Sequence, residues 1–185
     1  SVGGGRPECL YEFCIQTVRV GQIAEKTDLW FRLTVNGKEG HAGSPHEATN
    51  ALVAGAAFIR ELSRLSDSFP ARNSLFAPPE STFSPTLVEN YSRATNHIPG
   101  KFVFYLDARV LPEYPPESIE KALQQLADDF ARREGVTISL ELTEQTPQAP
   151  QTPQDAPVSR ALSTAVREPL KVEPQFDGMG GVTMA

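Results

Sequence analysis

The chain has 185 residues, 39% of them hydrophobic and 22% charged, with a formal net charge of −6, which is room for one domain plus extensions. Lys and Arg total 17 against 23 Asp and Glu, with no basic cluster, so nucleic acid and anionic membrane surfaces are excluded as expected partners. No apolar run approaches the roughly 20 residues of a membrane span, the first residues lack the pattern of a secretory signal, and Cys9 and Cys14 are too few and too local for a disulfide framework. A soluble, cytoplasmic protein is expected. The chain opens at Ser1 and stops at Ala185 just after a glycine-rich turn, so a fragment is expected as well.

From Thr27 to Val35 the apolar residues Leu29, Trp30, Phe31, Leu33 and Val35 nearly alternate, and Asn36-Gly37 ends the run with turn chemistry. This predicts a half-buried strand. After the loop GKEGHAGSPH, the stretch Ala48 to Leu65 predicts an amphipathic helix with Leu52, Gly55, Ala56, Ile59, Leu62 and Leu65 on its apolar stripe. A polar loop from Ser66 to Glu80 leads to TFSPTLVEN, where Pro85 cannot donate to a ladder and so predicts an edge strand. Residues Lys101 to Val110 alternate strictly, with Phe102, Phe104, Leu106, Ala108 and Val110 on one face. Pro115 and Pro116 open a second helix carrying Ile119, Leu123, Leu126, Ala127 and Phe130 as far as Gly135, and Val136 to Leu142 predicts a last strand.

That order, strand-helix-strand-strand-helix-strand, predicts an α+β, ferredoxin-like βαββαβ domain: a four-stranded antiparallel sheet with two helices on one face. Beyond it, TEQTPQAPQTPQDAP cannot form a core and reads as a connector. Val158 to Leu170 then predicts a helix, and VEPQFDGMGGVTMA a strand entering a glycine turn.

Three histidines, His41, His46 and His97, occur without an HExxH or a Cys/His pattern of zinc spacing, so no metal site is expected in this chain. His41 and His46 flank Pro45 in a Gly/Ser loop, where a histidine either fills the loop or serves function. Asp107 and Arg109 lie two apart on a strand and share a face. They form either a solvated ion pair, contributing about 0 to 1 kcal/mol, or an anion site built on the planar guanidinium fork. Asn96 precedes the turn His97-Ile98-Pro99-Gly100, a position common for Asn because its side chain bonds nearby backbone. The run Gly178 to Thr183 offers either backbone N–H groups to an anion or only a tight turn.

Taken together, NGKEGHAGSPHEATNALVAGAAFIREL, NHIPGKFVFYLDARVLPEYPPESIE, TPQDAP and GMGGVT, in this order and spacing, resemble metallopeptidase family twenty, which includes aminoacylases, acetylornithine deacetylases and succinyl-diaminopimelate desuccinylases. The resemblance runs from about Ile23 to Ala185. It implies a lid or dimerisation domain over 23–144, a linker over 145–157 and a partial α/β catalytic segment over 158–185, with 1–22 unassigned. It also implies hydrolysis of the amide bond of an N-acyl amino acid or small peptide, two zinc ions in the complete enzyme, and a homodimer formed through the lid.

By the same resemblance His41 stabilises the oxyanion in the partner subunit's site, assisted by Asn96. Arg109 holds a substrate carboxylate, and Gly180, Gly181 and Thr183 contact substrate, although Val182 interrupts the usual run of three glycines. His46 and Asn50 match family positions for which loop and helix-start roles are expected. The family's metal ligands and its glutamate general base fall in segments that these 185 residues do not match, so the chain alone is expected to lack metal and activity. The alternative is a non-catalytic ferredoxin-like module that self-associates.

Overall fold

A computed structural model describes residues 20–89 and 94–181. Strand β1 (Val20–Glu25) is followed, after Lys26 alone, by β2 (Thr27–Asn36). A two-residue strand β3 (Gly40–His41) and a 3-10 turn at Pro45–Glu47 lead into helices α1 (Ala51–Glu61) and α2 (Ser63–Asp67). Then come β4 (Thr82–Glu89), a two-residue strand β5 (His97–Ile98), β6 (Lys101–Val110), α3 (Pro116–Glu134), β7 (Thr137–Gln145), α4 (Pro157–Leu170) and β8 (Gln175–Met179).

The centre is a four-stranded sheet in the order β4-β6-β2-β7, antiparallel at every pairing. β2 lies inside and pairs residue for residue with β6, from Thr27 opposite Val110 to Asn36 opposite Lys101. Alternation explains the inner face: Leu29, Phe31, Leu33 and Val35 of β2 and Phe102, Phe104, Leu106, Ala108 and Val110 of β6 are all buried. β4 is an edge strand, as Pro85 requires, and its ladder shifts register between Pro85 and Leu87.

Helices α1 and α3 close over the inner face. Asn50 caps α1 by accepting from the N–H groups of Leu52 and Val53. This is the helix-start role expected of it. α3 begins at Pro116 and ends on Gly135, whose φ of 68° is the left-handed cap that glycine adopts without strain. Phe58 of α1 meets Phe104 with ring centroids 6.3 Å apart and Phe130 of α3 at 5.0 Å, so one aromatic ring bridges both helices and the sheet.

The structure differs from the sequence expectation in several places. The helix expected over Ala48–Leu65 is two helices broken at Leu62. Of its expected stripe, Gly55, Leu62 and Leu65 are buried and Ile59 packs against the core, whereas Leu52 is 48% exposed and Ala56 is exposed; Ala51, Ala54 and Phe58 complete the inward face. Gly55 lets the helix approach the sheet closely, because a Cβ there would run into the Phe102 ring. Leu142, expected on the buried side of β7, is 36% exposed where the strand runs past the core. Val20 to Gln22, left unassigned from sequence, belong to β1, which pairs in parallel with β8. The expected strand entering the glycine turn is β8 itself. Among the described residues no helix is long and apolar enough to cross a membrane.

Candidate functional site

Two clusters gather the candidate residues, and they lie at opposite ends of the β2–β6 pair. The first sits beyond the Asn36–Lys101 end. β3 and β5 pair there, His41 opposite His97 and Gly40 opposite Ile98, and Gly37 N–H donates to the Gly100 carbonyl at 2.9 Å. This small ladder brings the His41 ring to Asn96, with 3.3 Å between His41 Nε2 and the Asn96 side-chain amide. The loop is tightly tied. Ala42 N–H donates to the Asn96 carbonyl and Ser44 N–H to the His41 carbonyl, both at 2.9 Å, and Gly43 N–H donates to His41 Nδ1 at 3.0 Å. His46 is exposed in the 3-10 turn and does not join the cluster.

The second cluster surrounds Arg109 on the open face of the sheet. The Asp107 carboxylate accepts from Arg109 Nε at 2.6 Å and from Nη2 at 2.8 Å, a bidentate fork, while Asp28 accepts from Nη1 at 2.5 Å. Trp30 Nε1–H donates to the same Asp107 carboxylate at 3.1 Å. The hydrogen bonds and charge of Asp107, joined by Asp28, raise the Arg109 guanidinium further above its already high value, against the opposing effect of burial. Trp30, with Leu87 and Tyr105, lines a groove of about 340 Å³ beside it. Gly181 completes the cluster, because a Cβ on it would lie 2.6 Å from Arg109 Nη1. Gly180 has open space around its Cα, and Thr183 lies outside the described residues.

Arg109 and His41 therefore do not meet. Lys101 and Arg109 are eight residues apart on one strand, and at about 3.3 Å per residue the two clusters are separated by about 26 Å. Sequence reasoning missed Asp28 as a partner of Arg109 and Trp30 as a partner of Asp107. The signal was available in the register, since β2 and β6 are the two best strand patterns and pairing them antiparallel sets Asp28 opposite Arg109 and Trp30 opposite Asp107. It also missed Gly43, whose role depends on loop geometry that no periodicity encodes.

Among the described residues no three His, Cys, Asp or Glu side chains come together as a metal site would need. The described part of the chain does not by itself fit a zinc centre.

Comparison with known proteins places this geometry. The family model described as a peptidase dimerisation domain matches residues 23–134. An uncharacterised metallohydrolase of Methanocaldococcus jannaschii is 29% identical over 183 residues, covering 94% of this chain and 45% of its own length. A succinyl-diaminopimelate desuccinylase of Magnetococcus marinus is 27% identical over 172 residues, covering 93% of this chain and 41% of its own. A Staphylococcus aureus tripeptidase has the same fold, with a TM-score of 0.68 at 19% identity over 89% of this chain and 40% of that one. The chain spans less than half the length of each of these proteins. With the domain model covering more than half of its residues, the chain belongs to the M20 peptidase family, through that family's dimerisation domain.

Proposed function

We propose that this chain supplies the ferredoxin-like lid, over 23–144, and the start of a second catalytic segment, over 158–185, of a zinc-dependent amide hydrolase acting on an N-acyl amino acid or a small peptide. The relatives named for desuccinylase and peptidase activities support that reaction class. In this reading zinc and the general base lie outside the described residues, and the chain's own residues bind and orient substrate.

The separation of about 26 Å between the two clusters carries the reading. A small substrate cannot touch both ends of one lid, so a complete site needs His41 and Asn96 from one subunit and Arg109 and the Gly180–Gly181 turn from the other. In a two-fold dimer each lid then completes its partner's site. His41 would donate to the oxygen on which negative charge develops, and Asn96 would hold the ring for that task. Arg109 would take a substrate carboxylate. Three of its five N–H groups are engaged by Asp107 and Asp28 among the described residues, which leaves two for the ligand. The dimer would join through a sheet edge, and β4, whose Leu87 and Val88 are more than half exposed, is the more apolar candidate.

Co-expression of two variants of the complete protein, His41→Ala and Arg109→Met, tests this arrangement. Each alone is expected to be strongly impaired. Mixed dimers carry one intact site, so at substrate concentrations well below the wild-type KM, where both variants are impaired, the co-expressed pair should recover about a quarter of the wild-type rate. Failure to recover activity from mixed dimers of demonstrated composition would place all these residues in one subunit's site and remove the reading.

A further inference from the structure

We infer that Gly43 is a positioning residue: its backbone amide holds His41 as a neutral ring protonated on Nε2, and Asn96 meets that proton with its amide oxygen. The inference deepens the reading of His41 as an oxyanion donor and rests on it for its catalytic meaning.

Gly43 N–H donates to His41 Nδ1 at 3.0 Å. A backbone amide only donates, so Nδ1 presents its lone pair and carries no proton. The single proton of a neutral imidazole then sits on Nε2. An imidazolium would need a proton on Nδ1 as well, directed at the Gly43 N–H, and would break the bond.

Asn96 follows from the same logic. Its side-chain amide is placed with Nδ2 3.3 Å from Nε2. With Nε2 protonated, an NH₂ group there would set donor against donor. A half-turn of the amide exchanges nitrogen for oxygen at no steric cost, so Oδ1 faces the ring. A contact of 3.3 Å is longer than an ordinary N–H···O bond and is easily given up to a better acceptor. An oxyanion is such an acceptor.

Glycine at position 43 also leaves the ring its room. A Cβ there would lie 3.0 Å from His41 Nδ1 and 3.4 Å from Cε1, pressing on the ring that the amide must reach. The neighbouring amides are already committed, Ala42 to the Asn96 carbonyl and Ser44 to the His41 carbonyl, so the loop cannot move aside without losing bonds. The outcome is a neutral donor of fixed tautomer with its N–H directed outward, next to the residue that holds it between turnovers.

The test is nitrogen NMR on the ¹⁵N-labelled chain, with the three histidine rings assigned through a His41→Gln variant. The expected result is a protonated Nε2, an unprotonated Nδ1, and a scalar coupling across the hydrogen bond between the Gly43 amide nitrogen and His41 Nδ1. A proton on Nδ1, or no coupling to Gly43, overturns the inference. In the complete protein, Gly43→Ala should abolish the coupling and lower kcat about tenfold with KM nearly unchanged, because the displaced ring is missed only in the transition state. An unaltered coupling and kcat in that variant would also overturn it. If the coupling is present while His41→Ala keeps full turnover, the oxyanion reading fails and the tautomer assignment stands, so the two failures are distinguishable.

Discussion

Arg109 illustrates how a single side chain is prepared by its neighbours. Alone on a strand it would be a long, rotamer-rich cation. Here the Asp107 fork fixes its plane, Asp28 fixes its far nitrogen, and Gly181 lets the C-terminal turn approach that nitrogen. In the complete protein Arg109→Met removes charge-assisted bonds to a bound carboxylate, and the expected result is a rise in KM of about 10- to 100-fold with kcat changed much less. Gly181→Ala should give a smaller rise in KM with a small loss of thermal stability, because the added methyl would lie 2.6 Å from Nη1 and push it away from Asp28. An unchanged KM in both variants, measured by steady-state kinetics on a carboxylate-bearing substrate, would remove Arg109 from the site. At this scale the sequence was informative about which residues matter and silent about their partners. His41 with Asn96, and Arg109 with the glycine turn, stood out as motifs. The choice between a solvated pair and an anion site at Asp107–Arg109 stayed open, because it depends on Asp28 and Gly181, which are distant in sequence.

Between elements, the open sheet face is tied by a second charged group. Arg32 of β2 donates through Nε to Glu89 of β4 at 3.1 Å, Tyr105 of β6 donates its hydroxyl to the same carboxylate at 2.8 Å, and Arg32 Nη1 lies 3.6 Å from Glu141 of β7. One network thus touches all four strands. The hydrogen bond from Arg32, then that from Tyr105, holds the Glu89 carboxyl below its ordinary value. A carboxyl depressed in the folded state contributes stability above its unfolded pKa and loses that contribution as the pH falls through its folded value. Glu89→Gln should therefore lower the melting temperature at neutral pH, and the difference from wild type should close in the acid range below the ordinary glutamate pKa. A difference that persists unchanged at low pH would mean the charge of Glu89 does not couple the strands. The elements themselves were legible where alternation is strict, as in β6, or where caps are explicit, as in α3. The apolar stripe of the first helical stretch was legible at Gly55, Ile59, Leu62 and Leu65 and missed at its start, where Leu52 looks more apolar than Ala54 yet is the exposed one. β1 was missed because its six residues show no clean alternation and its partner, β8, lies at the other end of the chain.

At the scale of the molecule, the first and last described strands meet in the parallel β1–β8 pair, and Lys26 alone separates β1 from β2 of the four-stranded sheet. The junction is braced by the loop between α2 and β4. Lys26 is buried, and its Nζ donates to the carbonyls of Pro78 at 2.9 Å and Glu80 at 2.6 Å while lying 5.5 Å from the centre of the Phe76 ring. Burial lowers its pKa, an effect that Glu80 partly offsets. The same loop grips β8: Gly178 N–H donates to the Leu75 carbonyl at 2.6 Å, and Gly178 leaves no room for a Cβ beneath Phe76. Phe76 therefore touches both the connecting residue and the strand that leads to the Gly180–Gly181 turn. Phe76→Ala should loosen this brace while leaving the main core, centred on Phe58 and Phe104, intact. A large-to-small change of this kind costs about 3 to 5 kcal/mol when the site cannot collapse. Its effect should be mainly local, because the small cluster around Phe76 is distinct from the main one, with Tyr114 packed against both. Native-state hydrogen exchange reads this directly: the amides of β8 and Gly178 should exchange much faster in the variant, and those of β2 and β6 at the wild-type rate. Equal acceleration in both sheets would show that the junction and the four-stranded domain open as one unit. The position of the Gly180–Gly181 turn against Arg109 would then depend on the whole domain rather than on the brace.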